Sequence, residues 1–331
     1  MATGMHVLFR ADGGARVGAG HLARCGALAE ALKQRGGTSV LATRAAARSG
    51  LADWQAAFSD VIELNEPAAA AGDETAALAQ RAAADWLVAD IYDIAELQRL
   101  RATYDRRLAI LADFVEQADG ADLVVDGSAG ADGKSWPSGN ASARFLLGPR
   151  FAMLKPAIAS ATATGGGGIL VTFGAADEEN VGLLVFRALA AARAPLPITL
   201  AAPVGAEAET QARQLAAGSG GVLRILPLGP ILEPMRQADV AICGAGLTAL
   251  EFACLGVPMI VLPIADNQRA AARGIAEGGA AEEARNVEHA VDLALRLAAD
   301  AGRRAEMARK GRALVDGQGA ARVAAAMMGG A

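Results

Sequence analysis

The sequence predicts an α/β protein of two doubly wound, Rossmann-like domains, each a parallel sheet covered by helices. Short β-branched or aliphatic runs alternate with longer Ala/Leu-rich segments of helical period, the pattern of strands joined by crossover helices. The alternation breaks once, at Pro156–Gly168, where an Ala/Ser/Thr stretch runs into four consecutive glycines, and then restarts. At 331 residues the chain is about twice the length of an ordinary domain, enough for two cores. The expected division is a first domain over 1–155, a hinge over 156–168 and a second domain over 169–331.

In the first half, strands are expected at His6–Arg10, Thr38–Thr43, Asp60–Leu64, Trp86–Asp90, Arg107–Leu111, Asp122–Asp126 and Arg144–Leu147. The clearest helix is Leu22–Arg35: Leu22, Cys25, Leu28 or Ala29, and Leu32 recur at helical spacing, Lys33 and Arg35 suit the negative end of the dipole, and Gly36 supplies the stop. After the glycines, strands are expected at Ile169–Phe173, Pro197–Ala202, Val222–Leu226, Asp239–Cys243 and Pro258–Leu262. Beyond Val287 the pattern is helical only, and one of these helices is placed to pack back across the hinge. Two such domains facing each other enclose a cleft at the carboxyl ends of both sheets, the expected place for a ligand.

Composition narrows the function. Hydrophobic residues make up 53% of the chain, aromatics 4% and charged residues 20%, so the cores are built from Ala, Leu, Val and Ile, and extended disorder is excluded. With 31 Lys and Arg against 36 Asp and Glu, a net charge of −5 and no basic block, the footprint of a nucleic-acid or anionic-membrane binder is missing. The longest apolar run, Val257–Ala265, is interrupted by Pro258 and Pro263 and falls short of the roughly 20 residues that span a bilayer. No basic-then-apolar leader opens the chain. The three cysteines, Cys25, Cys243 and Cys254, sit far apart in apolar runs, as reduced core thiols do, and form no zinc ligand set. A cytoplasmic protein with a small-molecule partner and no metal is expected.

Three constellations carry chemistry. The first is Arg10-Ala-Asp12 followed by Gly18-x-Gly20-His21, after the first strand and at the mouth of the best helix. Glycines there let the backbone approach an anion and the helix end aims free N–H groups at it. A tight turn that binds nothing fits the glycines equally well. His21, an imidazole at a helix mouth, suits general-base work near neutral pH, or serves only as a polar cap. His6 opens a strand and His289 lies in a polar helix, so His21 is the histidine placed on the expected cleft.

The second is Gly244-Ala-Gly246-Leu247-Thr248 with Glu251 one turn into the next helix. That mouth can hold a diphosphate through backbone amides, and the carboxylate can accept the hydroxyls of a ribose. The third is Asp266-Asn267-Gln268 after the following strand, where one side chain can cap a helix and the two amides are free to bind a sugar. Lesser signals are Asp90-x-Tyr92 and Thr172-Phe-Gly174 at other strand ends.

Taken together, Arg10-Ala-Asp12, Val17-Gly18-x-Gly20-His21-x-x-Arg24-Cys25, Asp90-x-Tyr92, Leu147-Gly148-Pro149-x-Phe151-Ala152-x-Leu154, Gly244-x-Gly246-x-Thr248-x-x-Glu251 and Asp266-Asn267-Gln268 resemble the UDP-sugar hydrolase family of pseudaminic acid biosynthesis, which acts on UDP-2,4-diacetamido-2,4,6-trideoxy-β-L-altropyranose. The second half is also similar to the lipid II-forming GlcNAc transferase, and both families have the GT-B fold. The resemblance implies metal- and cofactor-independent hydrolysis of the C1–O bond with inversion, in a monomer or weak homodimer. It implies His21 as base or water-positioning group and Tyr92 and Asn267 as its supporting residues; Asp12, Gly18, Gly20, Asp90 and Gly174 are further candidates for substrate binding. Gly244, Gly246, Leu247, Thr248 and Glu251 would hold UDP, with uracil on the Pro227–Ile231 loop, and Asp266 and Gln268 nearby. The chain departs from that family at Asp126-Gly127-Ser128, at Gly174-Ala-Ala-Asp177 and at Cys243-Gly244-Ala245, all in substrate-facing loops. The alternatives are an inverting GT-B glycosyltransferase, which shares the donor site, and a nucleotide-sugar binding subunit without turnover.

Overall fold

A computed structural model describes the chain except residues 1–3, 14–19, 45–51, 53, 66–67, 132–135, 137–142, 175–176, 203–206, 228, 230 and 330–331. It divides into two compact units, Met1–Lys155 with Gln318–Ala331, and Pro156–Gly317.

The first unit runs β1 (His6–Ala11), α1 (Gly20–Lys33), β2 (Thr38–Arg44), β3 (Asp60–Leu64), α2 (Ala68–Arg81), β4 (Trp86–Asp90), α3 (Ile94–Thr103), β5 (Arg107–Leu111), β6 (Leu123–Asp126) and β7 (Arg144–Leu147). These form one parallel seven-stranded sheet in the order β3-β2-β1-β4-β5-β6-β7. Strand side chains alternate between faces, and both faces are covered. Val7, Phe9, Trp86 and Val88 join the core with α1, whereas Leu8, Leu87, Ala89 and Ile110 join the core with Leu97 and Leu100 of α3.

The second unit runs α4 (Pro156–Ala159), β8 (Ile169–Thr172), α5 (Val181–Ala191), β9 (Ile198–Ala202), α6 (Glu207–Ala217), β10 (Leu223–Pro227), α7 (Leu232–Gln237), β11 (Val240–Cys243), α8 (Leu247–Leu255), β12 (Met259–Val261), α9 (Asp266–Glu277), β13 (Ala281–Glu283), α10 (Val287–Ala299) and α11 (Ala301–Leu314). Its parallel sheet has the order β10-β9-β8-β11-β12-β13. In each sheet the chain winds one way and then the other, so strand order reverses between β1 and β4 and between β8 and β11. A doubly wound sheet places its ligand groups at the carboxyl ends of such strands.

Three expectations are corrected. The second domain does not extend to residue 331: the last helix, α12 (Gly319–Met327), belongs to the first unit. The cause is visible in α1, which buries His21, Leu22, Cys25, Gly26, Ala27, Leu28, Ala29, Ala31 and Leu32 and so needs cover beyond the sheet. Val323, Ala324 and Met327 of α12 share its core, and Trp86 Nε1–H donates to Met327 O at 3.1 Å. The expected hinge, 156–168, begins at the boundary of the units but belongs to the second one and is hydrogen-bonded within it. Ala163 N–H donates to Leu255 O, Thr164 and Gly165 N–H to Arg236 O, and the Asp239 carboxylate accepts from Gly166 and Gly168, each at 2.9 Å. Finally, β13 is a strand the sequence did not announce: three residues, two of them glutamates, pair with the edge of β12.

Candidate functional site

In the first unit the switch point between β1 and β4 carries a polar cluster. His21 enters at the first turn of α1 and Asp90 ends β4. The His21 imidazole meets Asp90 Oδ1 through Nδ1. A carboxylate can only accept, so Nδ1 carries the proton, and Nε2 has no hydrogen-bond partner among the described residues. An imidazole so held has its ring orientation fixed and its Nε2 left to face a ligand.

Arg24, one helical turn beyond His21, donates to Asp90 from Nε at 3.0 Å and from Nη2 at 2.7 Å, and to Asp113 from Nη1 at 2.5 Å and from Nη2 at 3.2 Å. Tyr92, two residues past Asp90, sets its ring edge-on to His21 with centroids 4.5 Å apart and donates its hydroxyl to Asp113 Oδ2 at 2.6 Å. Phe114 meets Tyr92 edge-on with centroids 5.7 Å apart, and the two residues are 40% and 41% exposed, where most large apolar side chains among the described residues are covered. The buried Gln117 amide fixes this loop: it accepts from Asp113 N and Phe114 N, both at 2.8 Å, and donates to Ile91 O at 2.7 Å.

The electrostatics follow from burial against pairing. Burial pushes the Asp90 carboxyl up, but Arg24 and His21 outweigh it and hold the group below the usual range. Burial acts the same way on Asp113, and Arg24 again reverses it, leaving the group well below the ordinary carboxylate value. Both therefore remain ionised at neutral pH. Burial and the Asp113 charge push the Tyr92 hydroxyl far up, so it acts as a donor and stays neutral.

Asp12 stands apart from His21. It is sequestered in a second buried cluster, accepting from Arg10 Nη1 at 2.6 Å and Nη2 at 2.8 Å, from Thr43 Oγ1 at 3.3 Å, and from Arg44 N at 3.1 Å and Nε at 2.7 Å. Arg10 also donates from Nε to Glu96 at 2.6 Å. Asp12 thus positions Arg44 rather than offering a free carboxylate. Gly20 opens α1, and Gly18 lies outside the described residues.

In the second unit, Gly244 and Gly246 link β11 to α8. Gly246 is the N-cap and makes no side-chain cap hydrogen bond, and the first N–H groups of a helix have no acceptor within it, so those of Gly246, Leu247 and Thr248 open onto the helix mouth. At Gly244 a Cβ would come within 2.9 Å of the Gln268 amide oxygen, so a side chain there would displace that amide. That oxygen accepts from Ala245 N at 3.1 Å and Ile264 N at 3.2 Å, so Gln268 ties the two loops together. Glu251 lies half-buried one turn into α8, and after burial its charge is what raises the Cys243 thiol. Asp266 is exposed and pairs with Arg269 at 3.1 Å, leaving α9 capped by Ala265 without a side-chain bond, and Asn267 is half-buried beside it. Gly174 leaves β8 with φ +79°, and Asp177 caps α5 through Val181 N at 2.7 Å and Gly182 N at 2.8 Å. Ile231 is the N-cap of the short α7.

The structure thus brings His21, Asp90 and Tyr92 together in one unit, and Gly244–Thr248 with Gln268 in the other. Arg24, Asp113, Phe114 and Gln117 were missed as site residues. Asp113 and Phe114 follow β5 as Asp90 and Tyr92 follow β4, so the strand-end rule was the signal for them. Among the described residues no group of three or more His, Cys, Asp or Glu side chains is arranged to hold a metal ion, and no helix is long and apolar enough to cross a membrane.

Comparison with solved structures places this architecture. MurG from Acinetobacter baumannii superposes with a TM-score of 0.67 at 19% identity, covering 98% of this chain and 99% of its own. UDP-GlcNAc 2-epimerase from Neisseria meningitidis, solved bound to UDP-GlcNAc, gives 0.67 at 12% identity over 98% and 99%. The spinosyn rhamnosyltransferase SpnG gives 0.66 at 16% over 98% and 100%. The fold is that of the GT-B enzymes. The His21 cluster lies in the N-terminal unit and the helix mouth of α8 in the C-terminal one. Among curated proteins, the spore coat polysaccharide biosynthesis protein SpsG of Bacillus subtilis strain 168 is 28% identical over 345 aligned positions, 97% of each chain. No protein-family model matches the chain.

Proposed function

We propose that this chain processes a UDP-sugar by breaking the bond between the anomeric carbon and the diphosphate, with His21 as general base. The observation that carries the reading is the His21 imidazole, tied to Asp90 through Nδ1 with Nε2 disengaged. In the reaction, an acceptor O–H attacks C1, Nε2 takes its proton, and the C1–O bond breaks with its electron pair leaving on UDP. Attack opposite the leaving group inverts C1. UDP needs charge neutralisation more than protonation, and the free amides of Gly246, Leu247 and Thr248 at the dipole end of α8 offer it. Glu251 is assigned to the ribose, and the Tyr92 and Phe114 rings to the apolar face of the sugar. An oriented base is typically worth about 10²–10⁴-fold in rate.

The acceptor defines two readings. Glycosyl transfer to a hydroxyl of a growing glycan is supported by the GT-B glycosyltransferases among the structural neighbours and by a curated relative named for polysaccharide biosynthesis. Transfer to water, releasing a free 2,4-diacetamido-2,4,6-trideoxy-L-altrose, is supported by the motif set His21, Arg24, Asp90-x-Tyr92 and Asp266-Asn267-Gln268. The test is incubation of the purified chain with UDP-GlcNAc and with the UDP-diacetamido sugar, with and without oligosaccharide acceptors, following UDP and the anomeric proton by NMR. Release without acceptor selects hydrolysis, and release only with acceptor selects transfer. Interconversion of UDP-sugars without release, or binding without turnover, refutes the base role of His21.

A further inference from the structure

The proposed reaction uses His21, yet the side chain that organises its surroundings is Arg24. Arg24 lies on the same face of α1, and its Nη2 is 3.2 Å from His21 Nδ1. It spans two carboxylates delivered by different strands, Asp90 after β4 and Asp113 after β5. Asp113 is itself held on its far side by the Tyr92 hydroxyl and through its backbone by Gln117. Tyr92 returns to His21 through its ring, so His21, Asp90, Arg24, Asp113 and Tyr92 close a ring of contacts. A clamp of this kind holds more than one rotamer in place: it fixes how the charge of Asp90 is shared.

We propose that Arg24, anchored by Asp113, is a positioning residue that divides the charge of Asp90 between a guanidinium and the imidazole, and so keeps His21 a neutral base with its proton on Nδ1. The inference rests on the reading of His21 as base. Among the described residues, the charged or titratable groups around the imidazole are Asp90 at the end of β4, Arg24 and Cys25 on α1, Tyr92 after β4, Asp113 after β5 and, one step further, Arg10 on β1. Burial and Asp90 hold the Cys25 thiol protonated, and burial and Asp113 keep Tyr92 neutral. The balance therefore lies among two carboxylates, one guanidinium and the imidazole. Removing the guanidinium leaves two negative charges facing His21 and favours the imidazolium. Removing the Asp113 charge does the reverse. Two neighbouring substitutions are thus expected to act with opposite signs, which a merely structural role does not produce.

The experiment is a ¹H–¹⁵N NMR titration of the imidazole nitrogens in the full chain, with three histidines in all and the His21 signals assigned by their loss in His21→Gln. Arg24→Gln is expected to move the His21 midpoint upward by about one pH unit or more, Asp113→Asn downward, and Arg24→Lys little, since it keeps the charge. Shifts of the same sign in Arg24→Gln and Asp113→Asn, or no shift in either, overturn the proposal. Should Arg24→Gln fail to fold, Asp113→Asn decides alone: it is isosteric, retains an acceptor for Tyr92, and a downward shift supports the proposal while an upward or absent one overturns it. The acid limb of UDP release is expected to follow the same order. Opposite NMR shifts without any UDP release by the wild type count against the proposed function and leave the charge-sharing role of Arg24 standing.

Discussion

Asp90→Asn is the substitution that separates geometry from chemistry in the first unit. The carboxylate is fully buried and takes the Nδ1–H of His21 on Oδ1 and two Arg24 donors at 2.7 and 3.0 Å. An Asn side chain has the same shape but presents a donor where one oxygen stood. If the amide N–H faces His21, Nδ1 becomes the acceptor and the proton moves to Nε2, which abolishes the base. In a serine-protease triad the same tautomer reversal costs about 10⁴-fold. UDP is a good leaving group and leans less on base catalysis, so a loss of about 10²–10⁴-fold in the rate of UDP release is expected. Stability falls as well: unpairing a buried ion typically costs about 3–5 kcal/mol, but Arg24 keeps Asp113, so a loss at or below the lower end, about 2–3 kcal/mol, is expected. Steady-state UDP release at saturating substrate measures the first effect and urea unfolding the second. UDP affinity, assigned to the α8 mouth, is expected to stay at the wild-type value. A folded Asn variant that releases UDP as fast as the wild type refutes the reasoning.

Ending the chain at Gly317 removes α12, and burial of Val323 and Met327 alone makes the cost at least about 3 kcal/mol. Trp54, Trp86 and Trp136 all lie in the first unit, so the tryptophan-detected urea midpoint reads this loss, and an unchanged midpoint contradicts it. Asp12 is held at about 2 against an ordinary 3.8. Because the folded value is the depressed one, its contribution, about 2 kcal/mol, is full above pH 4 and fades as the pH falls toward 2. The stability gap between wild type and Asp12→Asn is therefore expected to narrow between about pH 4 and pH 2, and a constant gap in urea unfolding across that range contradicts the assignment. Gln268→Ala releases the N–H groups of Ala245 and Ile264 and is expected to weaken UDP binding by about tenfold, read by calorimetry, with full affinity as the contrary result.

Much of the scaffold was legible because it depends on local period. The β1 and β4 runs alternate their side chains between two covered faces, and the turn that follows α1 contains Gly36, whose φ of +80° only a glycine adopts freely. The misreadings share a different cause: the deciding partner lay far along the chain. The glycines at 165–168 look like a linker until Asp239, 73 positions away from Gly166, takes the N–H groups of Gly166 and Gly168 and the Arg236 and Gln237 carbonyls take those of Gly165 and Gly167. The apolar face of α12 shows that something covers it, and only the fold shows that the cover is α1. Likewise Arg24 stands in the sequence as a motif residue one turn after His21, but its partners are not visible there, because Asp90 and Asp113 stand 66 and 89 positions away. His21 was accessible to inference from scarcity and placement, and Asp12 was placed on the right strand end, but only coordinates show that its oxygens are already occupied by Arg10, Thr43 and Arg44.

The most direct test of the account is the single-turnover rate of UDP formation from a bound UDP-sugar in the wild type and in His21→Ala, with UDP affinity measured on both. The account predicts a fall of about 10²–10⁴-fold in rate with UDP binding intact. Equal rates in the two proteins would contradict it.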